Sequence, residues 1–195
     1  MAFGSGIIKN KNTKGDYAES LIHNHFLKKG YEIFSPSGGQ AHLFDGLVMR
    51  KKDSYIKTFL FDAKSKAARN VYKDTGIDLK HYFHYKEMSE YFGKNFLIFF
   101  IDEELGKIYY QNLNNYFGDF EKFKLYFDEE GLEYPRIENG KNGERYIYFS
   151  IETMVLLRDL SDEEIGILKE MSKNTNKNYI FNPVWDVEKI FTNNG

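Results

Sequence analysis

Residues 96–101 read Phe-Leu-Ile-Phe-Phe-Ile, six large apolar side chains without a polar break. A strand sends successive side chains to opposite faces, so a strand made of such a run is apolar above and below and must be covered on both sides. The chain has 195 residues and 42% hydrophobic content, enough for one sizeable core with an extension. The flanking segments fit a layered α/β arrangement. Ala18, Leu21, Ile22 and His25 recur at helical spacing over 13–29, with Thr13 and Asp16 in the form of a capping box and Gly30 as the stop. Residues 31–34, 43–49 and 59–64 read as strands. Thr75 with Asp78 predicts a capped helix from Gly76 to about Phe92, closed by Gly93, and residues 107–111 return after a turn at 102–106. The first 111 residues therefore read αβββαββ.

The remainder predicts an α+β extension. Phe120, Phe123, Lys124 and Phe127 suggest a short amphipathic helix ending at 128–131. Residues 136–138 and 145–150 form a hairpin about a turn at 139–143, and Ser161 with Glu164 caps a last helix to about Ser172. Trp185, with Val184 and Ile190, is expected to anchor the tail on the core. The domain reading is a basic arm at 1–12, a core at 13–130 and an extension packed on it at 131–195.

Two short stretches carry candidate chemistry. In 59–64, Asp62 and Lys64 stand two apart and share one face of the strand, while Phe59, Phe61 and Ala63 take the other. Asp45 lies on the preceding strand with sixteen residues between it and Asp62, a separation that suits an antiparallel hairpin turning near 51–54. Such pairing brings both carboxylates to one end of the sheet. Two carboxylates and an amine suit a hard divalent cation such as Mg²⁺, which takes oxygen ligands and is commonly held by one or two carboxylates plus substrate phosphate. Glu19 borders the core stripe of the first helix and is a further candidate. His23-Asn24-His25 spells HNH, but the nuclease motif of that name is a set of dispersed residues. Positions i and i+2 diverge by about 200° on a helix and chelate poorly, so both are expected to be partly buried or surface histidines.

Taken together, Glu19 on a first helix, Asp45 on a second strand and Asp62-Ala63-Lys64 on a third resemble the PD-(D/E)XK nuclease superfamily over roughly residues 13–110. Phe44 stands where the name-giving proline would be, a position that varies within the superfamily. The resemblance implies a restriction-endonuclease-like core, a mixed sheet flanked by helices. It implies Asp45 and Asp62 as ligands of Mg²⁺ or Mn²⁺, the Ala63 carbonyl as an added ligand, Glu19 at a second metal or an outer water, and Lys64 at the attacking water. It also implies a polar side chain near the metal from the next helix, for which His81 and Tyr85 are the candidates. The implied activity is hydrolysis of DNA to leave a 5′-phosphate, with restriction, junction-resolving and phage or repair enzymes sharing these residues. A resolving enzyme implies a homodimer. A non-catalytic binding module and an RNA-directed nuclease remain alternatives.

Charge distribution fits a phosphate-binding face. Residues 1–80 hold 14 Lys and Arg against 8 Asp and Glu, while the rest holds 13 against 21. Lys14, Lys66 and Arg69 are the expected backbone contacts. The loop at 35–40, with Gly38 and Gly39, suits close approach to DNA and serves equally as a plain connection. The absence of cysteine excludes disulfides and thiolate metal sites and is compatible with a reducing cytoplasm. No signal peptide and no membrane partner are expected.

Overall fold

In the computed structural model, residues 14–36, 44–52, 54–116, 126–127, 133–140 and 143–173 are described. The basic arm, Thr13, the glycines of the 35–40 loop, Phe120, Phe123, Lys124 and Trp185 lie outside them. A six-stranded mixed sheet runs in the order β1 (Glu32–Phe34), β2 (Gly46–Lys52), β3 (Tyr55–Ser65), β5 (Asn95–Asp102), β6 (Lys107–Asn112) and β11 (Val155–Asp159). Only β3 and β5 are parallel, with Asp62 beside Ile98 and Ser65 beside Ile101. The connection between them holds β4 (Asp74–Asp78) and α2 (Leu79–Phe92).

The run 96–101 is covered on both faces, as its composition demands. Phe99 and Ile101 pack with Phe59, Phe61 and Ala63 against α1 (Lys14–Lys28) and α3 (Asp162–Lys173), through Ala18, Leu21, Ile22, Leu168 and Met171. Phe96, Ile98 and Phe100 pack with Leu60 against Leu79, Tyr82 and Tyr85 of α2. A second sheet, β4-β10-β9, completes that layer, with β9 at Arg136–Asn139 and β10 at Arg145–Ser150. The C-terminal hairpin thus falls where expected.

Four local expectations are corrected. The helix predicted from Gly76 begins at Leu79, because Asp74–Asp78 pairs antiparallel with β10, a partner some seventy residues downstream that a local pattern does not reveal. Phe127 lies in a two-residue strand, β7 (Tyr126–Phe127), paired with β8 (Glu133–Tyr134), and not in a helix. Asp45 sits in the bend just before β2. Residues 155–159, read as no element from the sequence, form the edge strand β11 on β6.

Helix ends follow the local signals. Gly93 closes α2 in the left-handed region at φ 59°, where its amide bonds back to Glu90. At α3 the Ser161 hydroxyl accepts from the Glu164 amide (3.2 Å), and the Glu164 carboxylate accepts from the Ser161 amide (2.9 Å). This is a reciprocal capping box. Ser161→Ala is expected to lower stability by about 1 kcal/mol in urea denaturation; no change would show that Arg158, also bound to Glu164 (2.7 Å), holds this end alone.

Candidate active site

Strand pairing brings the two sequence stretches together. Gly46 pairs with Phe61, and the Asp45 amide adds one more rung by donating to the Phe61 carbonyl (2.9 Å). Asp45 Oδ2 accepts from the Ala63 amide (2.7 Å), so side chain and backbone both tie Asp45 to β3. Gly46 permits this fit: a Cβ there would lie 2.6 Å from Cε1 of Phe61, a ring fully buried beneath the site. Asp62 is 5% exposed, and Lys64 Nζ stands 2.6 Å from its Oδ2. Asp45, Asp62, Ala63 and Lys64 therefore meet at the end of β3 where the parallel pair β3–β5 reaches the sheet rim.

The α2 layer closes over this rim. Tyr85 is buried and stacks on Phe96 at 4.4 Å. Burial, then the charge of Asp62, pushes the Tyr85 pKa far up and keeps it a donor. His81 stacks on Tyr85 at 6.2 Å and lies 3.4 Å from Asp78. Burial lowers the His81 pKa, and so does the charge of Lys64. Both candidates from the second helix thus stand beside Asp62 or Lys64.

Glu19 approaches from the opposite layer, on α1. It lies 3.4 Å from His23 Nε2, and burial, followed by Asp16 and Asp62, raises its pKa to about 7. Among the described residues, no three or more acidic or histidine side chains gather closely enough to hold a metal ion together. Glu19 is therefore in the field of the aspartates without completing a three-carboxylate cluster. His23, buried against Phe61 at 5.6 Å, has its pKa lowered to about 4 by burial. His25 is likewise lowered to about 4, by burial first, and packs on Phe26. The i,i+4 spacing of Glu19 and His23 was the available signal for their contact.

The three expected phosphate contacts are committed elsewhere in the fold. Lys14 pairs with the buried Glu103. Lys66 Nζ donates to the Gly76 carbonyl (2.8 Å) and lies 5.6 Å from the Tyr146 ring centre. Arg69 binds Asp74 through Nε (2.6 Å) and Nη2 (2.7 Å) and Glu138 through Nη1 (2.7 Å), so its fork is engaged within the protein.

The site suits a dication electrostatically. When both aspartates ionise, one ammonium offsets only one of two adjacent negative charges. The Asp45 pKa accordingly rises to about 7, through burial first and Asp62 next, against the lowering effect of the Ala63 amide. The donor set is hard oxygen, as Mg²⁺ and Mn²⁺ require. Because Asp45 holds its proton more tightly folded (about 7) than unfolded (3.8), its contribution to stability is complete below about pH 4 and is lost as pH rises through 7. In EDTA, Asp45→Asn is expected to be more stable than wild type by about 1–3 kcal/mol at pH 8, and by much less at pH 4. Urea denaturation at the two pH values checks this, and an equal difference at both would refute the strained pair.

The chain is thus a mixed α/β protein, a mixed six-stranded sheet flanked by helices. No family model matches the chain, and no curated protein does. Among solved structures, it is similar to a Holliday junction resolvase, Hjc, from Archaeoglobus fulgidus (9% identity, TM-score 0.47, covering 79% of this chain and 97% of that one). It is also similar to a nuclease from a fusselovirus (11% identity, TM-score 0.45, covering 84% and 97%). No helix among the described residues is long and apolar enough to cross a membrane.

Proposed function

We propose that this chain is a metal-dependent endonuclease that hydrolyses phosphodiester bonds in DNA, of the restriction, junction-resolving or phage and repair kind. The observation that carries the proposal is the Asp45–Asp62 pair, joined through the Ala63 amide (2.7 Å) and flanked by Lys64 (2.6 Å) at the sheet rim. Asp45 and Asp62 would hold Mg²⁺ or Mn²⁺, with the Ala63 carbonyl as a further oxygen and Glu19 at an outer position. A bound dication supplies Lewis-acid polarisation of the phosphoryl group and offsets the charge of the pentacovalent phosphate. Lys64 orients the attacking water from the strand face it shares with Asp62. The water gives up a proton as its oxygen bonds to phosphorus and the P–O3′ bond breaks, the departing O3′ takes up a proton, and 5′-phosphate and 3′-hydroxyl ends remain. Cutting both strands of a duplex or junction requires two such centres, so the proposal extends to a homodimer on DNA.

The test is incubation of purified chain with plasmid, branched and single-stranded DNA and with RNA, in Mg²⁺ or Mn²⁺. Cleavage of at least one DNA substrate to 5′-phosphate ends is expected. Binding without cleavage would favour a non-catalytic module on this fold, and cutting of RNA alone would favour an RNA-directed enzyme.

A further inference from the structure

The chain leaves β3 at Ser65 and is at once pinned to the end of β5. The Lys66 amide donates to the Ile101 carbonyl (3.1 Å), and the Ala68 amide to the buried carboxylate of Asp102 (2.7 Å). Because β3 and β5 are parallel, this anchoring occurs at the rim that carries Asp62 and Lys64. A tight turn follows, closed by the Arg69 amide on the Asp74 carbonyl (2.8 Å) and the Lys73 amide on the Arg69 carbonyl (2.9 Å).

The base of this turn is built far more firmly than a connection needs. Asp74 is fully buried and accepts from Arg69 Nε and Nη2, from Arg136 Nη2 (3.0 Å) and from the Tyr134 hydroxyl (3.1 Å). The Arg69 guanidinium also lies 3.7 Å over the Tyr148 ring and 4.8 Å over Tyr72. The tip is the opposite. Asn70, Val71, Tyr72 and Lys73 are all exposed, with Val71 at 72%. Lys73 holds φ at 45°, in the left-handed region that a lysine enters at some energetic cost. Lys73 is fixed there by its amide on Arg69 and by its carbonyl, which accepts from the Ile151 amide (3.1 Å), so the base holds the turn and leaves the Val71 side chain exposed at its tip.

We infer that the 70–73 tip is a nucleic-acid contact, in which Lys73 binds a backbone phosphate and Val71 presses on the adjoining sugar or base step. The inference rests on the proposed function for its choice of partner. From Lys64 to Val71 the chain spans at most about 25 Å, less than one helical turn of B-DNA at about 34 Å. The contact therefore falls within one turn of the bond to be cut. A rigid base keeps the ordering cost of that contact small. With Arg69 engaged internally, the exposed ammonium of Lys73 takes the phosphate role in this stretch.

The test is equilibrium binding of a fluorescein-labelled duplex and a four-way junction to the full chain in EDTA, over a range of salt, so that cleavage plays no part. Lys73→Gln is expected to reduce the slope of log K against log salt by about one. Val71→Ser is expected to weaken binding about three- to tenfold without changing the slope. Thermal melting establishes that both variants fold, and Lys94→Gln, exposed at the end of β5 opposite the rim, serves as the unaffected control. An unchanged slope for Lys73→Gln overturns the phosphate contact, and unchanged affinity for Val71→Ser overturns the apolar one. A wild type that binds but never cuts sinks the hydrolytic reading alone, while a wild type that binds no nucleic acid sinks both.

Discussion

Asp62→Asn is expected to reduce DNA cleavage by at least about a thousandfold in single-turnover assays, and Lys64→Ala by about a hundred- to a thousandfold. The asparagine is isosteric, so the rim retains its shape while losing the charge proposed to hold a dication. Lys64 acts differently. Its ammonium is 2.6 Å from Asp62 Oδ2 and shares that strand face, so its removal would take away the proposed water positioning and the counter-charge paired with Asp62. Asp62→Asn should therefore be rescued little by raised Mn²⁺, whereas Lys64→Ala should still bind the ion. Residual rates equal to wild type in either variant would place the chemistry elsewhere.

Asp74→Ala is expected to destabilise the chain by about 3 kcal/mol in urea denaturation, the largest effect of any single charged residue away from the rim. The carboxylate is fully buried and is the common acceptor for Arg69, Arg136 and Tyr134. Its loss leaves two guanidiniums facing each other in a part-buried place. Glu138 remains bound to both, at 2.7 Å from Arg69 and 3.1 Å from Arg136, which keeps the loss near the lower end for a broken buried pair. Disruption of the surface pair Lys86–Glu90 (3.9 Å) should by contrast change stability by less than about 0.5 kcal/mol. A loss below about 1 kcal/mol for Asp74→Ala would show that the second sheet holds without its buried anchor.

What the sequence made legible was local in origin. The 96–101 run demanded two covering layers and has them. The i,i+2 placement of Asp62 and Lys64 put both on one strand face, and the 51–54 turn set a register that brings Asp45 beside Ala63. The capping signals at Ser161 and Gly93 located helix ends to within a residue. The misses share one cause, dependence on a distant partner. Thr75, Gly76 and Ile77 read as the start of a helix until β10 pairs with them. Residues 155–159 are a strand because β6 presents an open edge. Arg69 looked like a free phosphate ligand, since nothing nearby in sequence announces that Glu138 and Tyr148 fold over it. The partner of Lys14 was equally hidden, Glu103 being 89 positions away.

The central claim is that Asp45 and Asp62 form one divalent-cation site, and direct titration of Mn²⁺ binding by electron paramagnetic resonance at pH 8 addresses it without recourse to activity. Wild type should deplete the free-ion signal at one site per chain, more weakly at pH 6 where Asp45 holds its proton, and both Asp45→Asn and Asp62→Asn should weaken binding at least about tenfold. Superimposable titrations for wild type and both variants would contradict the account.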